Sequence, residues 1–271
     1  MFGNIGYKTY RATSLNIDSL SKTIENISNS NSIGYKRSTD SFSEALNGEI
    51  TRHESKDFSQ GPLRRTAEPF DIALDGKGFF EVELPTGQRA FTRAGRFKLT
   101  SEGELVSDEG YRLIPQIEPS KLPVFGASNP QINESGEMNL KVTSAKLTVS
   151  PDLTPEIQED GTLNGINPNT GEKTKIGKIN VVVFNNTQGL ESIGKSYYIQ
   201  TNKSGAPLDI DTGTGGSTRV KQGFLEFGNI NMAAEFMNLT LKKDLISAQL
   251  KVLKAIDKLF ENVHYTIGKS A

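Results

Sequence analysis

The chain contains no cysteine, no tryptophan and only two histidines, His53 and His264. The missing cysteines exclude a disulfide framework, a thiolate metal site, a CxxC redox pair and a cysteine nucleophile. Two histidines are too few for a three-histidine metal site, although carboxylate sites remain open. An excess of one charge sign is also missing. The 31 Lys and Arg residues against 32 Asp and Glu give a formal net charge of −1, so no global field draws nucleic acid or anionic lipid. No apolar run approaches the ~20 residues of a membrane-spanning helix. The first residues, Met1-Phe2-Gly3-Asn4-Ile5-Gly6, lack the basic and apolar regions of a secretory signal. The expectation is a protein that is cytosolic or leaves the cell by a route that needs no cleaved signal.

What remains is 271 residues with a hydrophobic content of 35%, 26 glycines and 11 prolines, enough for a core with many turns. Residues 1 to about 37 read as helical. Tyr10, Thr13, Ile17, Leu20, Ile24 and Ile27 recur at alternating spacings of three and four, the seam of a coiled coil. Asn16, Ser19, Lys22 and Asn26 fall on the opposite face. The polar run Ser28 to Ser32 stops the helix, because short polar side chains compete for backbone hydrogen bonds, and Gly34 supplies a turn. Residues 38–59 are polar and form a connecting segment.

From about 60 to 220 the pattern is β. Ile72 and Leu74, then Phe79 to Leu84, alternate with a period near two, and the intervening Asp75-Gly76-Lys77-Gly78 predicts a hairpin. Further strands are expected around 104–106, 111–117, 146–149, 176–184 and 196–200. Val181-Val182-Val183-Phe184 is the most apolar and should be central. Asp211 to Ser217 reads as a loop. Residues 229–267 return to helix with two neighbouring seams: Leu239, Ile246, Leu253, Ile256, Phe260 and Val263, and beside it Leu241, Leu245, Ala248, Val252, Ala255 and Leu259. So wide an apolar face requires cover on more than one side. The expected fold is mainly β with terminal α-helices. The N- and C-terminal helices pair as a coiled-coil layer around which an elongated β domain is inserted. The expected divisions are 1–37, 38–59, 60–220 and 221–271. Because one helix pair satisfies its seams only in part, the termini are expected to order on assembly.

Signs of catalysis are weak. Gly171-Glu172-Lys173-Thr174 lacks the glycine-lysine junction of a phosphate loop. Asp209, Asp211 and Gly213 imitate the start of a calcium loop, but position 220 is Val where the late acid belongs. His53 has no nucleophile elbow to serve, and His264 near the last helix end suits dipole complementarity or packing. Arg64, Arg65, Arg89, Arg93 and Arg96 read as solvated edges or subunit salt bridges. Lys242, Lys243, Lys251, Lys254 and Lys258 are diluted by Glu235, Asp244, Asp257 and Glu261, against a membrane-surface helix. No cofactor, metal, nucleic-acid partner or direct membrane insertion is expected, and no enzymatic activity. Two other readings remain open: an extracellular β-rich binding module with a groove in residues 60–220, and a carboxylate-based polysaccharide hydrolase.

The stretch Asn26-Ile27-Ser28-Asn29 through Gly34-Tyr35-Lys36-Arg37 resembles the signature of the flagellar rod and hook protein family. Phe70 to Phe80, with Asp75, Gly76, Gly78, Phe79 and Phe80, is similar to that family's first β-domain motif. Arg93, Gly95 and Phe97, followed by Gly103-Glu104-Leu105-Val106, are similar to its second. Gln222 to Glu226 with Asn229 and Glu235 resembles its third. Residues 189–194 and 204–207 look most like distal-rod members, with proximal-rod members as the alternative. The last helix carries Lys243 to Gln249 where the family has Gln-Arg-x-Tyr-Glu-x-Asn.

The resemblance implies a structural subunit of the bacterial flagellar basal body within the periplasm. Copies would stack helically into a hollow rod that transmits torque from motor to hook, with the terminal helices lining the tube and the β domain outside. Its implied partners are itself, other rod proteins and the hook protein, the P- and L-ring proteins, and the flagellar export apparatus. The expected assembly seam is Ile17, Leu20, Ile24 and Ile27 with Leu239, Ile246, Leu253, Ile256, Phe260 and Val263.

Overall fold

The computed structural model describes residues 2–44, 50–116, 147–150, 152–213 and 215–269. Two long helices, α1 (Phe2–Ser28) and α2 (Met232–Lys269), stand at the ends of a chain otherwise built from short strands. The chain forms two compact units: one made from residues 1–61 together with 228–271, the other from residues 62–227.

In the first unit α1 ends at Ser28, where the polar run begins, and residues 29–37, read as helical from the sequence, form turns and extended chain instead. Asn29 turns its side-chain amide back onto the Glu25 carbonyl, Ser32 donates to the Asn29 side chain, and Gly34 takes a φ of 66°. The chain then forms β1 (Ser38–Glu44) and β2 (Ile50–Lys56), an antiparallel hairpin in register from Ser38 opposite Lys56 to Glu44 opposite Ile50. The polar composition of this segment gave no strand signal. Its pairing is held instead by polar cross-strand contacts such as Thr39 with Ser55 and Arg52 with Asp40. At the start of α2 the Asn231 side chain accepts from the Ala234 N–H and its carbonyl accepts from Glu235, an N-cap.

Among the described residues the second unit holds sixteen strands: β3 (Leu63–Arg65), β4 (Ile72–Asp75), β5 (Phe79–Glu83), β6 (Arg89–Thr92), β7 (Phe97–Leu99), β8 (Leu105–Ser107), β9 (Arg112–Leu113), β10 (Thr154–Ile157), β11 (Thr162–Ile166), β12 (Lys173–Lys178), β13 (Val181–Val183), β14 (Glu191–Gly194), β15 (Tyr197–Ile199), β16 (Leu208–Asp209), β17 (Arg219–Gln222) and β18 (Phe224–Glu226). The largest sheet runs β14-β15-β6-β5-β9-β8-β7, with β13 joining β5 to β16. β5 is its hub. One edge pairs with β6 along Phe80–Glu83, while the other is shared by β13 at Phe79–Phe80 and β9 at Val82–Glu83. β13 has strands on both sides, and Val181 and Val182 are buried, as its apolar run implies. β10, β11 and β12 form a three-stranded sheet, and β4–β17 and β3–β18 are separate pairs. The core joins these sheets through Ile72, Leu74, Phe80, Val82, Leu105, Leu113, Leu163, Ile179, Val181 and Val220. The strand expected at 146–149 survives as an isolated bridge of Thr148 to Glu104; residues 117 and 146 lie outside the described residues.

The predicted Asp75-Gly76 hairpin is corrected. β4 pairs with β17 and β5 with β6, β9 and β13, so the two strands flanking the turn belong to different sheets. Gly76 and Gly78 take φ values of 130° and 131°, outside the geometry of a two-residue hairpin turn. A Cβ on Gly76 would stand 2.4 Å from the Ser217 carbonyl oxygen. The glycines serve close passage of the chain from one sheet to the other. A second difference concerns residues 221–226. They are the end of β17 and all of β18, paired with β4 and β3, and α2 begins only at Met232.

Candidate assembly surface

The expected seam separates into two sets. Ile246 is buried and Leu239, Leu253 and Ile256 are half-buried on α2, while Phe260 is 44% exposed. The facing side of α1 is the more polar one. Thr13, Ser19, Thr23 and Asn26 are buried and Leu20 and Ile27 half-buried, whereas Ile17 and Ile24 are 46% and 49% exposed. Ile17 and Ile24 are therefore left half open to solvent. Hydrogen bonds explain the choice. Asn16 donates to Gln249 at 3.1 Å, and the Lys242 ammonium donates to the Ser19 carbonyl and the Thr23 hydroxyl. Burial lowers the Lys242 pKa, against the opposing pull of Asp40 and Glu235. A Cβ on Gly6 would stand 3.8 Å from the Ile256 side chain, so the two helices pass close there. Val263 and His264 lie on α2, and their side chains are outside the described residues.

What is left open is apolar. On α1 it is Tyr7, Tyr10, Ile17 and Ile24; on α2 it is Leu241, Leu245, Val252 and Leu259, with Phe236 and Met237 at the start. The α2 members follow the second seam read from the sequence. Each carries about half its surface in water, and covering the rest is worth about 1 kcal/mol per side chain.

The Asn26–Arg37 stretch forms a locked exit from α1. The Asn26 side chain acts as a strand edge, its oxygen accepting from the Ser38 N–H and the Tyr35 hydroxyl while its amide donates to the Ser38 carbonyl. Burial, with Glu25 nearby, pushes the Tyr35 phenol up to about 12. Lys36 is almost wholly buried and donates to the Ser59 carbonyl. Asn229 accepts from the Arg37 N–H and donates to Asp57 and Ser59, while the Arg37 guanidinium bonds buried Glu235 in the first turn of α2. Asn26, Asn29, Gly34, Tyr35, Lys36, Asn229 and Glu235 thus fix a single junction. The β1–β2 hairpin that it carries has no counterpart in the sequence reading, since only side-chain pairing across the strands betrays it.

The remaining motif residues gather in the second unit. Arg93 and Glu226, 4% and 1% exposed, pair at 3.2 Å. The same guanidinium donates to the Gly76 carbonyl and lies over the Phe79 ring. Burial lowers the Arg93 pKa and Glu226 opposes that. Phe80 stacks edge-on against Phe97, and Gly95 lies so close to Ile72 that a Cβ would meet its carbonyl oxygen at 1.6 Å. Asp75 pairs with Lys221. Among the described residues no group of three His, Asp or Glu side chains is placed to hold a metal ion, and no helix is long and apolar enough to cross a membrane. This geometry offers packing surface and locked junctions.

Residues 73–140 match the family described as the flagellar hook protein FlgE/F/G D1 domain. The chain is similar to the flagellar basal-body rod protein FlgG of Buchnera aphidicola subsp. Schizaphis graminum, 30% identical over 208 residues, 77% of this chain and 69% of the relative. It is also similar to the FlgG proteins of Caulobacter vibrioides, 26% identical over 92% of this chain and 93% of the relative, and of Bacillus subtilis, 26% identical over 88% of this chain and 89% of the relative.

Proposed function

Since the chain belongs to the flagellar basal-body rod protein family, and is therefore a structural rod protein of the flagellum, we propose that it is a distal-rod subunit that self-assembles helically. The hollow shaft so formed carries torque from motor to hook, meets other rod proteins and the hook protein at its ends, and lies inside the P- and L-ring proteins. The subunit reaches the periplasm through the flagellar export apparatus. The observation that carries this reading is the double apolar stripe on α1 and α2 that one chain leaves uncovered. A stripe on each helix gives every copy two different faces to offer its neighbours, and head-to-tail contacts that do not close into a ring extend into a filament. Knob-into-hole packing along those stripes gives a stiff inner layer.

The test uses the full chain in cells that lack their own copy. The triple variant Ile24→Asp, Leu241→Asp, Leu245→Asp changes only exposed positions, so the free chain keeps its circular dichroism spectrum and loses its stability by no more than ~1–2 kcal/mol. Isolated basal bodies are expected to lack the rod segment and cells to stop swimming. Normal rods built from the triple variant would refute the assembly role of the stripes. Gold-labelled antibody on wild-type basal bodies places the subunit: label next to the hook supports the distal position, and label at the inner membrane end supports the proximal one.

A further inference from the structure

The second unit contains a cavity of about 560 Å³ beneath the loop that leads from β3 to β4. Its walls are partly apolar, from Pro69, Phe70, Phe97 and Leu99, and partly charged. Two polar groups on this wall are unfulfilled. Asp71 is 3% exposed, and its Oδ2 has no hydrogen-bond partner; Arg96 reaches only its other oxygen, at 3.7 Å. The hydroxyl of Thr66 is likewise buried and unpartnered. Between them the backbone is strained, because Ala67 holds a φ of 65° that only glycine adopts freely. Orphaned buried acceptors beside a strained loop are the mark of a site awaiting a donor.

We infer that this cavity receives a lysine side chain from a second copy of the chain, and that the donor is Lys195. An ammonium supplies three donors for Asp71 and Thr66, and its aliphatic stem suits the proline and phenylalanine walls. The chain carries a knob of that chemistry. Among the described residues β14 is the outermost strand of the largest sheet and is exposed along its length, with Ile193 43% exposed. It turns into β15 through Lys195 and Ser196, both at positive φ, a tight two-residue hairpin that holds exposed Lys195 at its tip. An uncovered edge strand invites another chain, and a knob and a hole at different places on one chain make the head-to-tail contact that a helical array requires. The inference rests on the assembly reading above, to which it adds a contact between β units.

The absence of native cysteine makes the test clean. Two full-length versions, Glu68→Cys at the rim of the cavity and Ser196→Cys beside an unaltered Lys195 at the hairpin tip, are co-expressed in cells lacking their own copy. Isolated basal bodies are then treated with oxidised glutathione. A disulfide-linked dimer is expected from the mixture and from neither version alone. Adding Asp71→Asn to the Glu68→Cys version should lower the dimer yield about tenfold, the value of a lost charge-assisted bond. Its melting temperature as a free chain checks that the fold is intact. Rods that form without a linked dimer overturn the inference and leave the assembly reading standing. If the wild-type chain enters no rods, the assembly reading fails first and this inference with it.

Discussion

The Arg93–Glu226 pair allows a sharp test of what holds the β unit together. The two residues are 133 positions apart, and both side chains are almost completely removed from water. A buried guanidinium is stable only while its charge is balanced. Glu226→Gln keeps the shape of the side chain and removes the balancing charge. Breaking a buried pair from one side costs about 3–5 kcal/mol. Arg93 has little with which to recover. Its Nε already lacks a hydrogen-bond partner, and its other contacts are one carbonyl and one aromatic face. Against a total stability of roughly 5–15 kcal/mol, the loss is large. Replacing both partners, Arg93→Met with Glu226→Leu, removes the uncompensated charge, and its expected cost is within about 2 kcal/mol of wild type. The assay is urea unfolding of the full chain followed by the near-ultraviolet signal of tyrosine, since Tyr197 and Tyr198 are buried in this unit and tryptophan is absent. A single variant within about 1 kcal/mol of wild type, or a double variant worse than the single, would refute the reasoning.

Three further outcomes rest on the same geometry. Gly95→Ala sets a methyl against the Ile72 carbonyl and forces the backbone apart; soluble yield should collapse, or the stability fall by about 3 kcal/mol or more, as urea unfolding would show. Asn26→Ala strands the Ser38 N–H and carbonyl together with the Tyr35 hydroxyl, so hydrogen exchange at Ser38 should accelerate by about a hundredfold, equivalent to roughly 3 kcal/mol. Tyr35 gives a pH dependence. Its pKa rises from 10 to about 12 on folding, so the folded chain keeps a proton that the unfolded chain releases. That contribution is complete below pH 10 and is lost as the pH climbs towards 12. In Tyr35→Phe this part of the alkaline decline should vanish in melts taken across that window.

How far the sequence alone reaches can be followed residue by residue. The end of α1 was legible because Ser28 to Ser32 is dense in side chains that bond their own backbone. The central place of β13 was legible because an uninterrupted Val-Val-Val run has no polar face to give to solvent. The second α2 seam was legible from spacing alone, and its members stand exposed. The motif stretches were also readable in order, from Asn26 to Glu235, because backbone-demanding glycines and paired polar residues tolerate few substitutes.

Other features were decided only by the tertiary structure. Asp75-Gly76 has the local chemistry of a hairpin, yet the distant strand β17 wins the pairing with β4. Which residues of α1 meet α2 was not legible from hydrophobicity alone, because Lys242 and Gln249 on α2 offer partners to Ser19 and Asn16 that no spacing rule contains. The β1–β2 hairpin is rich in polar side chains and announces itself only through cross-strand contacts. The cavity at Asp71 depends on the β3–β4 loop meeting β7. Composition, periodicity and local backbone chemistry act over a few residues and so stand in the sequence. Partner choice among distant segments is a competition between whole surfaces, and only the folded chain resolves it.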